Sequence, residues 1–189
     1  MEKSLMKWIV AGLLLCISML SSADAFTFAD MPWGASKAEV TKKLAAKGYA
    51  NIKTDKDGDL SFEGSLVGNK AIGIALFANN SLVKVVIDLV TQDRKAIGTY
   101  EDMKEMLTKK YGQPRSSLKH FMNPYYEGDG YEEQAIRLGK GSFSSLWGKA
   151  GVGGMVLEIT ENLTVEITYE SAAWPQESDK RRAKAASDF

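Results

Sequence analysis

The sequence predicts an α+β fold, a tandem repeat of a helix plus an antiparallel β-meander, with the helices packed on one face of the sheet. Three observations lead there. Ser36 and Glu39 form a capping box ahead of an amphipathic helix, residues 82–90 alternate apolar and polar, and a weaker echo of the helix and the same alternation recur in the second half of the chain. The recurring features sit in the same order each time, which is the signature of a repeated supersecondary unit.

Residues 1–25 read as an export signal. Lys3 and Lys7 supply the positive start, residues 8–20 are apolar or small, and Ala23-Asp24-Ala25 has the small-x-small form of a signal-peptidase site. At about 1.5 Å per residue the apolar run reaches about 20 Å, short of the roughly 30 Å of a hydrocarbon core. Cys16 stands where a lipoprotein would carry its lipid, but Leu15 occupies the place that signal gives to a small residue. The 189 residues less the 25 of the signal leave 164, enough for one domain or two small repeats sharing a core. Lys and Arg number 24 and Asp and Glu 24; the signal holds two of each sign, so the mature chain is neutral too. That balance excludes a phosphate-backbone partner bound through a basic face. Cys16 is the only cysteine, so the mature chain has no thiol for a disulfide, a nucleophile or a metal site, and packing alone must hold it.

Pro32-Trp33-Gly34 turns the chain into the first helix, with Trp33 expected to cover the helix end. In the capping box the Ser36 hydroxyl accepts from the Glu39 amide and the Glu39 carboxylate accepts from the Ser36 amide. Val40, Leu44 and Ala45 share a face, the lysines take the rest, and Gly48 is the left-handed stop. Turn signals at Asp57-Gly58, Gly68-Asn69 and Asn79-Asn80 then divide the chain into strands near 50–55, 59–67, 70–78 and 82–90. In the last, Val83, Val85, Ile87 and Leu89 point to one side and Lys84 and Asp88 to the other, as in a sheet with one buried face.

The second half opens with Thr99 as the expected cap, Glu101 and Asp102 in the first turn, and Met103, Met106, Leu107 and Tyr111 at helical spacing before Gly112 and Pro114. Strands are expected near 116–122, 135–138, 142–149, 152–161 and 163–171, with a polar aromatic loop over 123–134. Leu163, Val165, Ile167 and Tyr169 alternate with Thr164, Glu166, Thr168 and Glu170, as 82–90 does. The domain reading is therefore a signal at 1–25, a first repeat at 26–95, a second at 96–174 and a flexible tail at 175–189.

The patterns Phe28-x-x-Met31-x-Trp33-Gly34-x-Ser36-x-x-Glu39-Val40 and Tyr100-x-x-Met103-x-x-x-Leu107-x-x-Lys110-Tyr111-Gly112-x-Pro114, with Trp147 and the closing Ile167-x-Tyr169, resemble those of small bacterial periplasmic proteins. Their layout is similar to the tandem α/β repeat of the β-lactamase inhibitor protein and to the small lipoprotein of the outer-membrane β-barrel assembly machine. The resemblance implies a protein-binding scaffold and brings no catalytic residue with it. This chain differs from the inhibitor in lacking mature cysteines and from the lipoprotein in lacking the lipid box.

Four motifs bear on chemistry. Asp55-Lys56-Asp57-Gly58-Asp59 has carboxylates at alternate places, but Leu60 and Leu66 stand where a calcium loop needs its glycine and its bidentate glutamate, so a hairpin turn is expected. His120 is the only histidine and has neither zinc-ligand spacing nor a nucleophile elbow beside it in sequence. The clusters at 139–142 and 148–154 are glycine-rich, yet neither completes a phosphate-binding loop; turns or bulges are expected there. No metal or cofactor is called for. The loop Asn123-Pro124-Tyr125-Tyr126-Glu127-Gly128-Asp129-Gly130-Tyr131-Glu132-Glu133 combines aromatic area, carboxylates and glycines, which suits recognition. Tyr125, Tyr126, Glu127, Asp129 and Tyr131, with Trp147, are the candidate binding residues.

The expectation is a periplasmic or secreted, non-enzymatic protein-binding or envelope-maintenance module whose partner is another envelope protein. Two alternatives stay open. One is a binder of a small apolar ligand held between sheet and helices; the other is a cell-wall hydrolase using a pair among Glu127, Asp129, Glu132 and Glu133.

Overall fold

A computed structural model describes residues 26–92, 94–149 and 153–187. The expected signal, its cleavage site and Cys16 lie outside the described residues. Those described form one eight-stranded antiparallel sheet and four helices, an α+β architecture. In chain order they are α1 (Lys37–Ala46), β1 (Ala50–Thr54), β2 (Leu60–Leu66), β3 (Asn69–Ala78), β4 (Ser81–Val90), α2 (Ala96–Tyr111), β5 (Ser116–Phe121), α3 (Glu132–Arg137), β6 (Gly141–Lys149), β7 (Gly153–Ile159), β8 (Val165–Glu170) and α4 (Trp174–Ala186). No helix among the described residues is long and apolar enough to cross a membrane.

The strand order is β1-β2-β3-β4-β8-β7-β6-β5. Two meanders therefore meet at the centre, where β4 pairs antiparallel with β8 through Val85↔Tyr169, Ile87↔Ile167 and Leu89↔Val165. Because side chains alternate along a strand, pairing places these residues on one face with Phe62, Gly73, Leu157 and Ser145, their cross-strand neighbours. That face is buried. Gly73 is needed in it, since a Cβ there would stand 2.2 Å from the Phe62 ring. Phe62 uses the space to lie in an aromatic group with Phe28 and Tyr49, at centroid distances of 6.1 and 5.2 Å.

The capping box of α1 forms as its spacing requires: the Ser36 amide donates to the Glu39 carboxylate at 2.8 Å and the Glu39 amide to the Ser36 hydroxyl at 3.4 Å. Val40 and Leu44 are its buried residues. The lead-in is tied to the sheet, with the Gly34 amide donating to the Leu82 carbonyl and the Leu82 amide to the Ala35 carbonyl, both at 2.9 Å. Trp33 is partly buried against the core. α1 packs on β1 and β4, α2 on β7 and β8, and α3 on β6. From α2, Tyr100, Met103 and Leu107 enter the same buried cluster. The Tyr100 hydroxyl, Ser145 and Ser117 form a hydroxyl chain with spacings of 2.7 and 2.9 Å, which satisfies the two polar side chains under the helix.

Two expectations change. The strand expected near 135–138 is the end of α3, where Ala135 and Ile136 are buried. Two apolar neighbours suit a helical turn or a strand equally, and Glu132 and Glu133 in the first turn favour the helix. The second helix starts at Ala96, so Thr99 is inside it and donates its amide to the Lys95 carbonyl. The C-terminal end, read from the sequence as a frayed or weakly helical tail, holds the 13-residue helix α4, anchored by Arg181 to Asp59 and to the Phe77 carbonyl.

Candidate functional site

Between β5 and α3 the chain forms the tyrosine loop. Its carboxylates hold it together. Asp129 accepts from the Tyr126 amide at 3.0 Å through one oxygen and from the Tyr131 amide at 2.7 Å through the other. Glu132 accepts from the Gly128 amide at 2.8 Å, and Glu127 pairs with Lys119 of β5 at 2.6 Å. Glu133 reaches out of the loop to the first amide of α2, accepting from Ala96 at 2.9 Å. All four carboxylates once open to an acid/base reading are thus engaged in fixing backbone or a neighbouring lysine.

The tyrosines divide by exposure. Tyr125 is half-buried, its hydroxyl accepting from the Gln134 side chain at 3.2 Å and its ring 6.0 Å from the Lys140 ammonium. Tyr126 and Tyr131 are 65% and 60% exposed, so two rings project from a backbone that Asp129 holds between them. Tyr131 also borders a groove of about 870 Å³ with Arg94, Ile97 and Arg137. Trp147, grouped with the loop on sequence, is only 1% exposed; its indole N–H donates to the Gly112 carbonyl at 2.8 Å and closes the end of α2. His120 is exposed on β5. Asp55 accepts from the amides of Asp57 and Asp59, both at 2.9 Å, inside the hairpin turn.

The sheet face opposite the core carries a second feature that residue spacing does not display. Cross-strand pairing sets Asp88, Glu166 and Glu158 side by side on β4, β8 and β7. Partial burial, followed by the Glu166 charge, raises the carboxyls of both Asp88 and Glu158 above the ordinary range. A Thr164 hydroxyl at 3.4 Å offsets part of this for Asp88. Exposed Ile72 and Ile74 lie farther out on the face, and Lys84 pairs with Glu170 at 2.9 Å while lying 4.7 Å from the Trp174 ring. Each acidic residue is the ordinary polar member of an alternating strand, so only the register discloses the row.

The chain matches no protein-family model, no curated protein and no solved structure.

Proposed function

We propose that this is an exported, periplasmic or secreted, non-enzymatic module that binds another envelope protein through the tyrosine loop. One observation carries the reading: Tyr126 and Tyr131 are exposed on a loop whose backbone is held by three carboxylate contacts and a lysine pair. Tyrosine rings offer wide amphipathic area with few rotatable bonds, and a backbone ordered beforehand loses little entropy on binding.

The finer architecture belongs to the same proposal. Two helix-plus-meander repeats, 26–95 and 96–174, account for a strand order that mirrors about the β4–β8 pair. Their helices share the buried face, which explains why α1 and α2 supply one cluster. The halves differ most in one connection. Between β1 and β2 there is a short hairpin turn, whereas the connection between β5 and β6 holds the tyrosine loop and α3. A repeated scaffold leaves recognition to the part that is not repeated.

Because the mature chain has no cysteine, a single Met122→Cys residue carrying a photocrosslinker, at an exposed position beside the loop, labels that edge alone. The expected result is crosslinking to a defined envelope protein that falls at least tenfold in Tyr126→Ala/Tyr131→Ala, a loss of about 1.4 kcal/mol or more. Crosslinking that survives the double substitution, with circular dichroism unchanged, removes the loop as the site.

A further inference from the structure

We propose that the cavity between the lead-in, the end of β2 and the C-terminal half of α2 binds a small amphiphile: a hydrocarbon tail with one anionic head. This site is independent of the tyrosine loop. The cavity has a volume of about 410 Å³, within the usual span of roughly 300–1,000 Å³ for small-molecule sites. Phe28, Leu66, Met103, Met106 and Leu107 line it with apolar side chains. Methionines suit a tail of variable shape, since the unbranched thioether refills gaps at little cost. Met106 is 44% exposed, an apolar side chain left without cover in the present conformation.

Two polar observations select the ligand's head. Tyr169 lines the cavity and is 5% exposed, yet its hydroxyl has no hydrogen-bond partner among the described residues. No fully buried side-chain polar atom among the described residues lacks a partner, so this unbonded hydroxyl opens into the cavity, where it is an available donor. Burial, with the Tyr111 and Tyr49 hydroxyls nearby, pushes its pKa above the ordinary tyrosine range, so it stays protonated and can donate. The second observation is charge. Lys47 and Lys110 border the cavity, Lys43 donates to the Asp30 carbonyl at 2.7 Å, and the one carboxylate among them, Asp30, is paired with Lys47 at 3.1 Å. The field of these lysines holds the Asp30 carboxyl below its usual range, with Lys47 contributing most. Three cations around one anion leave a positive mouth, and a carboxylate or phosphate head can accept from Tyr169 while drawing Lys110. A cationic head is repelled by these lysines, and a neutral head can meet Tyr169 but gains no attraction from the charge.

The ligand's source is either a free amphiphile or a membrane lipid, and the test separates them. Decanoate and decyltrimethylammonium, equal in tail and opposite in head, are titrated calorimetrically into the mature protein, while flotation with phosphatidylglycerol vesicles tests the lipid. Decanoate is expected to bind one to one and decyltrimethylammonium not to bind. Tyr169→Phe, which removes only the hydroxyl, weakens decanoate binding about fivefold, the effect of one lost hydrogen bond. Met106→Glu, a change at an exposed position that leaves folding intact, abolishes binding, and Asp30→Asn tightens it. Decanoate binding without flotation assigns a free amphiphile; flotation lost in Met106→Glu assigns a lipid. The proposal is overturned if neither decanoate nor the vesicles bind, if decyltrimethylammonium binds as tightly as decanoate, or if Met106→Glu and Lys110→Glu bind decanoate as the wild type does.

Discussion

Asp59 and Arg181 are joined across 122 positions of sequence. Asp59 is buried and accepts from the Phe77 amide at 3.0 Å, while Arg181 bridges both of its oxygens and donates to the Phe77 carbonyl at 2.8 Å. Removing the guanidinium leaves a buried carboxylate uncompensated, a loss of about 3 kcal/mol. Arg181→Ala is therefore expected to lower the urea midpoint strongly, and Asp59→Asn, which keeps a side-chain acceptor for the Phe77 amide, to lower it less. Equal small losses would mean that α4 does not depend on this pair. The pairing was not legible beforehand. Asp55, Asp57 and Asp59 formed a local pattern that raised calcium, whereas the fold uses the first to cap a turn and the last as the anchor of a distant helix. Trp147 is a similar case, because an aromatic residue in sequence does not disclose whether its ring is presented or buried.

Helix starts divide into those written locally and those completed by tertiary contact. The α1 cap was legible, since both partners of a capping box lie within one turn. The start of α2 was not: Lys95 makes no side-chain cap bond, and Glu133 of α3 accepts from the Ala96 amide instead. Ser36→Ala and Glu133→Ala are each expected to cost about 1 kcal/mol. Hydrogen exchange distinguishes them. Ser36→Ala speeds exchange only in the first turn of α1, while Glu133→Ala exposes the first amides of α2 and loosens α3 with them; unchanged exchange in α2 would contradict the cap across helices. The tyrosine loop belongs at this scale too. Its composition was readable, but its order comes from Asp129 and Glu132, whose backbone contacts depend on where α3 begins.

Across the whole molecule, the centre of the sheet is where two meanders join, and that join creates the Asp88–Glu166–Glu158 row. Like charges directly opposite each other on neighbouring strands destabilise a sheet. Asp88 and Glu158 have raised folded-state values, so protonation favours the fold: their stabilising contribution is complete below the unfolded values of 3.8 and 4.5 and is lost as pH rises through the raised ones. Asp88→Asn/Glu158→Gln should accordingly raise Tm at pH 7, by about 2 °C for a chain of this size, and raise it little at pH 4. Calorimetry at the two values decides; an equal gain at both would trace it to packing instead of ionisation.

The sequence by itself determined the capped first helix, the positions of all eight strands to within a few residues, with one extra strand expected at 135–138, and the buried side of the central alternating pair, because each follows from contacts and periodicities within one element. It also carries the expectation of export. Only the tertiary structure decided which strands are neighbours, that Glu133 caps α2, that Arg181 anchors α4, and that Tyr169 and the lysines of two helices meet at one cavity. Those are proximities between distant parts of the chain, set by register and packing, and residue spacing along the chain holds no record of them.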